Sequence, residues 1–145
     1  MRAVLQRVQK AGVAVEDKQV ASIGKGLVIL LGIGPEDDRE KAKQLAGQIA
    51  RLRIFEDDQG KMNLSLLDIG GEALVVPQFT LYADTSRGHR PSFAGAAAPD
   101  QARGLVETFA RLLAQEGVFT RQGRFGAHML VSIYNDGPVT IHLAK

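Results

Sequence analysis

Two short segments hold most of the chemistry this sequence offers: Pro77-Gln78-Phe79-Thr80-Leu81 in mid-chain and Asn135-Asp136-Gly137-Pro138-Val139-Thr140 near the end. Thr80 carries a hydroxyl that an adjacent base would turn into a nucleophile, yet no such base is visible in the sequence. Its expected role is therefore to orient substrate or water. Asn-Asp-Gly-Pro between two apolar runs is a dense turn signal. Gly-Pro is also one of the few dipeptides that tolerate a cis peptide. Neither segment pairs a conventional nucleophile with a base. Function carried here would use backbone groups and shape.

Other catalytic patterns fail on spacing. Gly24-Lys25-Gly26 lacks the spacing and the Ser/Thr of a phosphate-binding P-loop. Gly32-Ile33-Gly34-Pro35 lacks the third glycine of a dinucleotide-binding turn. No G-x-S-x-G elbow is present. The chain has no cysteine, which excludes disulfides, thiolate catalysis and cysteine-ligated zinc. His89, His128 and His142 lack ligand spacing and read as surface or strand histidines. Asp57-Asp58 with Gly60 matches part of a calcium loop, but the remaining ligands are missing. Neither a metal nor a cofactor is expected.

The elements that must position these residues follow from apolar periodicity. Val4, Leu5 and Val8, then Val13 and Val15, then Val20 and Ile23, mark three short strands, with Gly24-Lys25-Gly26 as a hairpin-like turn. Leu27 to Leu31 is a continuous apolar run, as expected of a strand covered on both faces. A first helix is expected from Asp37, which stands at capping-box spacing from Glu40. Ala42, Leu45, Ala46, Ile49 and Leu52 then recur at helical spacing. A second helix is expected from Pro99 or Asp100, with Ala102, Leu105, Val106, Phe109, Leu112 and Leu113 as its stripe and Gly117 as its stop. A strand from Ala73 to Tyr82 would carry the mid-chain segment. Two last strands, Met129–Tyr134 and Val139–Leu143, would flank a Gly-Pro turn. Gly95 to Ala98 reads as a loop.

Length and charge set the limits. The 145 residues suit one domain that buries a real core. Eighteen basic and 16 acidic side chains leave a net charge of +2, which permits nucleic-acid contact without arguing for it. The longest apolar run, Leu27 to Ile33, is far too short to span a bilayer, and the N-terminus has no secretory pattern. A soluble, cytoplasmic protein is expected, with no membrane partner.

Six blocks, in order from Met1 to about Leu143, resemble the D-aminoacyl-tRNA deacylase family: MRAVLQRVQKAGVAV, GKGLVILLGIG, PQFTL, YADTSRGHRPSF, GRFGAHM and NDGPVT. The resemblance implies an α/β fold of one domain, with mixed, barrel-like sheet layers and two main helices. It implies hydrolysis of the ester of D-aminoacyl-tRNA by a homodimer, and activity on glycyl-tRNA mischarged on an alanine tRNA. The aminoacyl-tRNA 3′ end is then the partner. The Gly-Pro pair, here Gly137-Pro138, is implied to be cis and to enter the partner's active site, where its carbonyls exclude an L side chain. Gln78, Phe79 and Thr80 match the other wall. Phe125, Gly126, Ala127 and Met129 match the segment that receives the terminal adenosine. Arg7 matches an arginine that braces the Gly-Pro loop, and Asn135 belongs to the same segment. Arg121 and Arg124, and the group Arg87, His89 and Arg90, offer cations to RNA phosphates.

One position departs from the family, whose mid-chain segment usually begins with serine. Pro77 removes both a hydroxyl and a backbone N–H. A related branch, which deacylates L-threonine misattached to an alanine tRNA and is thought to use a trans Gly-Pro, resembles the chain at this place. Arg7, Phe79 and the Asn135–Val139 context match the D-specific enzymes better. A non-catalytic RNA-end or small-molecule binding module on the same fold, and a plain structural dimer, are the readings from other classes.

Overall fold

In the computed structural model, which describes all residues from Met1 to Lys145, the chain opens on strand β1 (Arg2–Val15), 14 residues without a break. The two short strands expected here are one. Ala3 and Leu5 face one core, whereas Val8, Ala11, Val13 and Val15 face another. Pairing irregularities around Val8 mark the changeover. Glu16 and Asp17, both at positive φ, turn the chain into β2 (Lys18–Ile23), which pairs antiparallel with β1. Positive φ at both central residues is the signature of a two-residue hairpin.

Gly24-Lys25-Gly26 is not a hairpin turn. β3 (Gly26–Gly32) continues in the same direction as β2, pairing with the first half of β1 as β2 pairs with the second. The glycines make a jog in one long return. Glu72 holds it: its amide donates to Lys25 O at 3.0 Å and its Oε2 accepts from Gly24 N at 2.9 Å. A Cβ on Gly26 would lie 1.8 Å from Glu72 O, so only glycine fits.

β3 is buried on both faces, as its apolar run requires. Leu27, Ile29 and Leu31 face the helices, and Val28 faces the opposite side. β6 (Glu72–Pro77) lies parallel to it, with Ala73 and Val75 on the helix side and Leu74 and Val76 on the other. β7 (Phe119–Gln122) runs parallel to β6. The sheet order is β2-β1-β3-β6-β7, with β8 on the free edge of β1. The sheet curves into a nearly closed, barrel-like layer around Val8, Val13, Val28, Leu74 and Val76. β4 (Phe55–Glu56) and β5 (Met62–Leu64) form a separate small hairpin.

Two helices cover the outer face. α1 (Arg39–Arg51) starts later than expected, because Asp38 is its cap and accepts from Lys41 N at 2.9 Å. Asp37 is turned inward and does not cap. α2 (Pro99–Gln115) begins at its proline, which sets φ where no helical N–H partner exists. It packs Val106, Phe109, Ala110 and Leu113 against α1 and the sheet. Burying such side chains stabilises by roughly 1.5–3 kcal/mol each.

Two further expectations are corrected. β6 ends at Pro77, and Phe79–Tyr82 form a 3₁₀ turn instead of extending the strand. β8 (Leu130–Ala144) is a single strand of 15 residues, antiparallel to β1 from end to end. The chain does not reverse at Gly137-Pro138. Val8 faces Asn135 and Gln6 faces Thr140, so Asp136, Gly137, Pro138 and Val139 all stand opposite Arg7 alone. The Gly-Pro pair occupies a bulge, a device that re-aims the backbone out of a ladder.

Candidate active site

A cavity of about 580 Å³ opens beyond the carboxyl ends of the parallel strands β3 and β6. Its size suits a small-molecule fragment, and crevices at such strand ends are common binding places in open α/β sheets. Val76, Pro77, Gln78 and Phe79 form one wall. The segment Phe125-Gly126-Ala127-His128-Met129 forms a second, and the start of α2 with Phe93 a third. Thus Gln78, Phe79, Phe125, Gly126, Ala127 and Met129 meet in one cavity. Sequence reading missed Phe93, which touches Phe79 edge-on with centroids 5.0 Å apart. It also passed over His128 as a wall residue and Arg103, whose guanidinium lies 5.2 Å from the centre of the Phe125 ring. Arg103 stands on α2, far from Phe125 in sequence, so no local pattern announced the pair.

Thr80 is exposed on the 3₁₀ turn and does not line the cavity. Its hydroxyl accepts a hydrogen bond from the Gln78 side-chain amide. No carboxylate, imidazole or amine is hydrogen-bonded to it. Phe79 is 59% exposed, which is high for an apolar ring lining a cavity.

Pro77 fits the sheet for a local reason. Val75 O accepts from Gly123 N at 2.9 Å, on the β7 side, and Gln78 N donates to Leu31 O at 2.8 Å, on the β3 side. By alternation, residue 77 would aim its amide at the β7 side, but β7 has ended at Gln122. Proline there forfeits no ladder bond. Its ring instead adds apolar surface to the wall.

Gly137 and Pro138 lie elsewhere. Their peptide bond is cis, both residues are exposed, and neither lines the cavity of its own chain. Asn135 Oδ1 accepts from Val139 N at 2.9 Å, closing a loop over the pair. Asn135 Nδ2 donates to Thr140 Oγ1 at 3.3 Å. Gly137 has φ of +130°, and a Cβ on it would sit 2.8 Å from Val139 Cγ2 and 3.1 Å from Arg7 Nη2. Arg7 is only 4% exposed. Its Nε donates to Asp136 O at 3.0 Å and its Nη1 to Ile54 O at 2.7 Å. Glu56 at 3.6 Å and the Asp136 carboxylate at 3.9 Å supply counter-charge. A buried guanidinium needs both kinds of partner.

The basic residues are dispersed. Arg87, His89 and Arg90 lie in an exposed loop. Arg121 covers the exposed Phe119 ring at 5.0 Å, and Arg124 is exposed beside Phe125.

The site is therefore three walls of apolar side chains and main chain, plus an outward backbone bulge held by one buried arginine. The D-Tyr-tRNA(Tyr) deacylase family model matches residues 4–144. A D-aminoacyl-tRNA deacylase from Roseiflexus castenholzii is 59% identical over 143 residues, which cover 99% of this chain and 91% of that one. One from Thermomicrobium roseum is 58% identical, again over 99% of this chain and 93% of that one. Among solved structures, the c-Myc DNA unwinding element binding protein superposes with a TM-score of 0.93 at 40% identity, covering 100% of this chain and 99% of that one. A probable eukaryotic D-amino acid tRNA deacylase shares the fold, with a TM-score of 0.85 at 19% identity over 98% of this chain and 97% of that one. The chain belongs to the D-aminoacyl-tRNA deacylase family, and is a hydrolase acting on a carboxylic ester.

Proposed function

We propose that this chain acts in the cytoplasm as a homodimer that hydrolyses the ester of D-aminoacyl-tRNA, with Gly137-Pro138 of each protomer closing the cavity of the other. One observation carries the reading. A backbone bulge held by a buried arginine faces outward, yet has no part in the 580 Å³ cavity of its own chain. A two-fold partner would give it one. Leu130 and Tyr134 on β8, 69% and 56% exposed, add apolar surface for the same contact.

The chemistry needs little more than placement. The ester joins an acyl carbon to a ribose oxygen beside a free vicinal hydroxyl. Water attacks the acyl carbon, the bond to the ribose oxygen breaks, and that oxygen takes up a proton. Positioning and donors for the developing oxyanion lower the barrier. Main-chain N–H groups near Phe79 and Thr80 serve as donors, and the tRNA's own 2′-hydroxyl orients or activates the water. Phe125, Gly126, Ala127 and Met129 hold the terminal adenosine. Gln78 orients the Thr80 hydroxyl.

Selection works by exclusion. The carbonyls around Gly137-Pro138 face the chiral centre, where an L side chain meets them and a D side chain points away. Glycine has nothing to reject, so glycyl esters on an alanine tRNA are also cleaved.

Complementation between subunits tests the cross-subunit arrangement. Gly137→Ala and Gln78→Ala homodimers are each expected to be slow. Mixed and allowed to exchange subunits, they form heterodimers with one undamaged site, restoring about a quarter of wild-type activity. Absence of any recovery, with exchange verified by mass labels, would contradict the shared site.

A further inference from the structure

Gly32-Ile33-Gly34 matches no phosphate-binding turn, and although Ile33 lines the cavity, the site described above gives its two glycines no task. Its surroundings supply one. A Cβ on Gly32 would lie 3.0 Å from Gln78 O, 3.1 Å from Leu81 Cβ and 3.2 Å from Tyr82 Cε2. One on Gly34 would lie 2.7 Å from the Tyr82 hydroxyl. Both glycines are bare so that the 3₁₀ turn carrying Phe79 and Thr80 can seat its last residue against them.

That last residue is tied down on two sides. The Tyr82 hydroxyl donates to Asp37 Oδ2 at 3.4 Å. Asp37 is 7% exposed and is itself fixed: the same oxygen accepts from Gly34 N at 2.6 Å, and Oδ1 accepts from the Met1 nitrogen at 2.5 Å. Arg2 stacks its guanidinium 4.3 Å from the centre of the Tyr82 ring and donates from Nη1 to Leu81 O at 2.8 Å. The start of the turn is held by the main chain, through Gln78 N to Leu31 O at 2.8 Å, and by the edge-on contact of Phe79 with Phe93. The turn has no buried residue of its own. Its fixed geometry must come from these external ties.

We propose that Tyr82, anchored by Asp37 and Arg2, is a positioning residue for the reaction, holding the 3₁₀ turn so that Phe79 and Thr80 meet the ester in one geometry. This rests on the proposed deacylase reading for what the turn does, but not for how it is held. A misplaced wall costs rate without altering what the rest of the cavity grips. The role therefore belongs in kcat and not in KM.

The test uses full-length enzyme with Tyr82→Phe, which deletes the tie to Asp37 and keeps the ring under Arg2, and Tyr82→Ala, which deletes both. The first readout needs no activity: amide hydrogen exchange at Leu81 and Ala83, whose N–H groups close the turn onto Gln78 and Thr80. Protection at these two amides should fall about tenfold or more in Tyr82→Ala, and less in Tyr82→Phe, while the β6 amides stay unchanged. The second is deacylation of a D-aminoacyl-tRNA, where kcat should fall at least about tenfold for Tyr82→Ala and roughly threefold for Tyr82→Phe, with KM within about twofold. Equal loss of protection in β6 would reduce Tyr82 to a general stabiliser and overturn the proposal. So would unchanged protection in the turn, or a loss carried by KM. An inactive wild-type enzyme would sink the deacylase reading alone, since the exchange comparison decides the positioning claim without it.

Discussion

Arg7 Nε hydrogen-bonds the main-chain oxygen of Asp136 at 3.0 Å, so one buried guanidinium grips the backbone immediately before Gly137. The same side chain reaches Ile54 O with Nη1 at 2.7 Å, tying the bulge of β8 to the segment that follows α1. Arg7→Ala leaves both carbonyls without this donor, that of Asp136 in a part-buried setting and that of Ile54 in a buried one. Each unsatisfied group costs about 1–3 kcal/mol, so a loss of roughly 2–6 kcal/mol is expected in urea unfolding. The D-to-L rate ratio should fall as the bulge loosens. Arg7→Lys should recover little, because one ammonium cannot reproduce two directed bonds from a planar fork. Full recovery by lysine would show that charge alone matters.

Gly137→Ala tests the bulge by adding a single methyl to its backbone. The new methyl would enter at φ of +130°, 2.8 Å from Val139 Cγ2 and 3.1 Å from Arg7 Nη2. Strain of about 1–3 kcal/mol is expected, with a loss of D-ester hydrolysis of at least roughly tenfold. Wild-type rate and stability together would show that the bulge tolerates rearrangement.

Legibility followed the range of the interactions. α2 and the doubly buried β3 could be read from Val106, Phe109 and Leu113 and from Leu27 to Leu31, because periodicity and runs are local signals. Asn135-Asp136-Gly137-Pro138 misled for the same reason. It has turn chemistry, but Arg7 and the register of β1 keep the strand going in one direction. Gly24-Lys25-Gly26 likewise answers to Glu72, almost fifty residues away in sequence. Asp37 stood at cap spacing, yet its carboxylate is claimed by Met1, Gly34 and Tyr82, leaving the cap to Asp38. At the site, the cavity walls at Gln78–Phe79 and Phe125–Met129 were accessible through family resemblance. Phe93, Arg103 and Tyr82 were not, because each matters through a partner remote in sequence.

Thr80→Ala should preserve substantial deacylation. The hydroxyl is exposed, and its side-chain partner is the amide of Gln78, which is no base. A decrease smaller than roughly a thousandfold, about 4 kcal/mol, agrees with an orienting role. A larger one, or an acyl group trapped on Thr80 by rapid quench and mass spectrometry, would make it the nucleophile.

Stability should fall in acid partly through Asp37. Burial pushes its carboxyl up, but hydrogen bonds from the Met1 ammonium and Gly34 N–H, with the charges of Met1 and Lys41, outweigh burial and hold its pKa below the ordinary 3.8. A carboxyl depressed on folding contributes stability above its unfolded pKa, and that contribution is lost as pH falls through the folded value. Urea midpoints of wild type and Asp37→Asn should therefore differ most near neutral pH and converge below about pH 4. A gap independent of pH would assign the effect to packing.

The central claim is chiral selection by the backbone at Gly137-Pro138. The most direct measurement compares, on one tRNA, the rate of ester loss for the D- and L-forms of a single amino acid, with wild-type enzyme under single-turnover conditions. Rapid loss of the D-ester is expected, with the L-ester decaying at the rate seen without enzyme. Gly137→Ala should cut the D-rate and shrink the ratio. Equal loss of both esters with wild-type enzyme, or an undiminished ratio in Gly137→Ala at full rate, would contradict it.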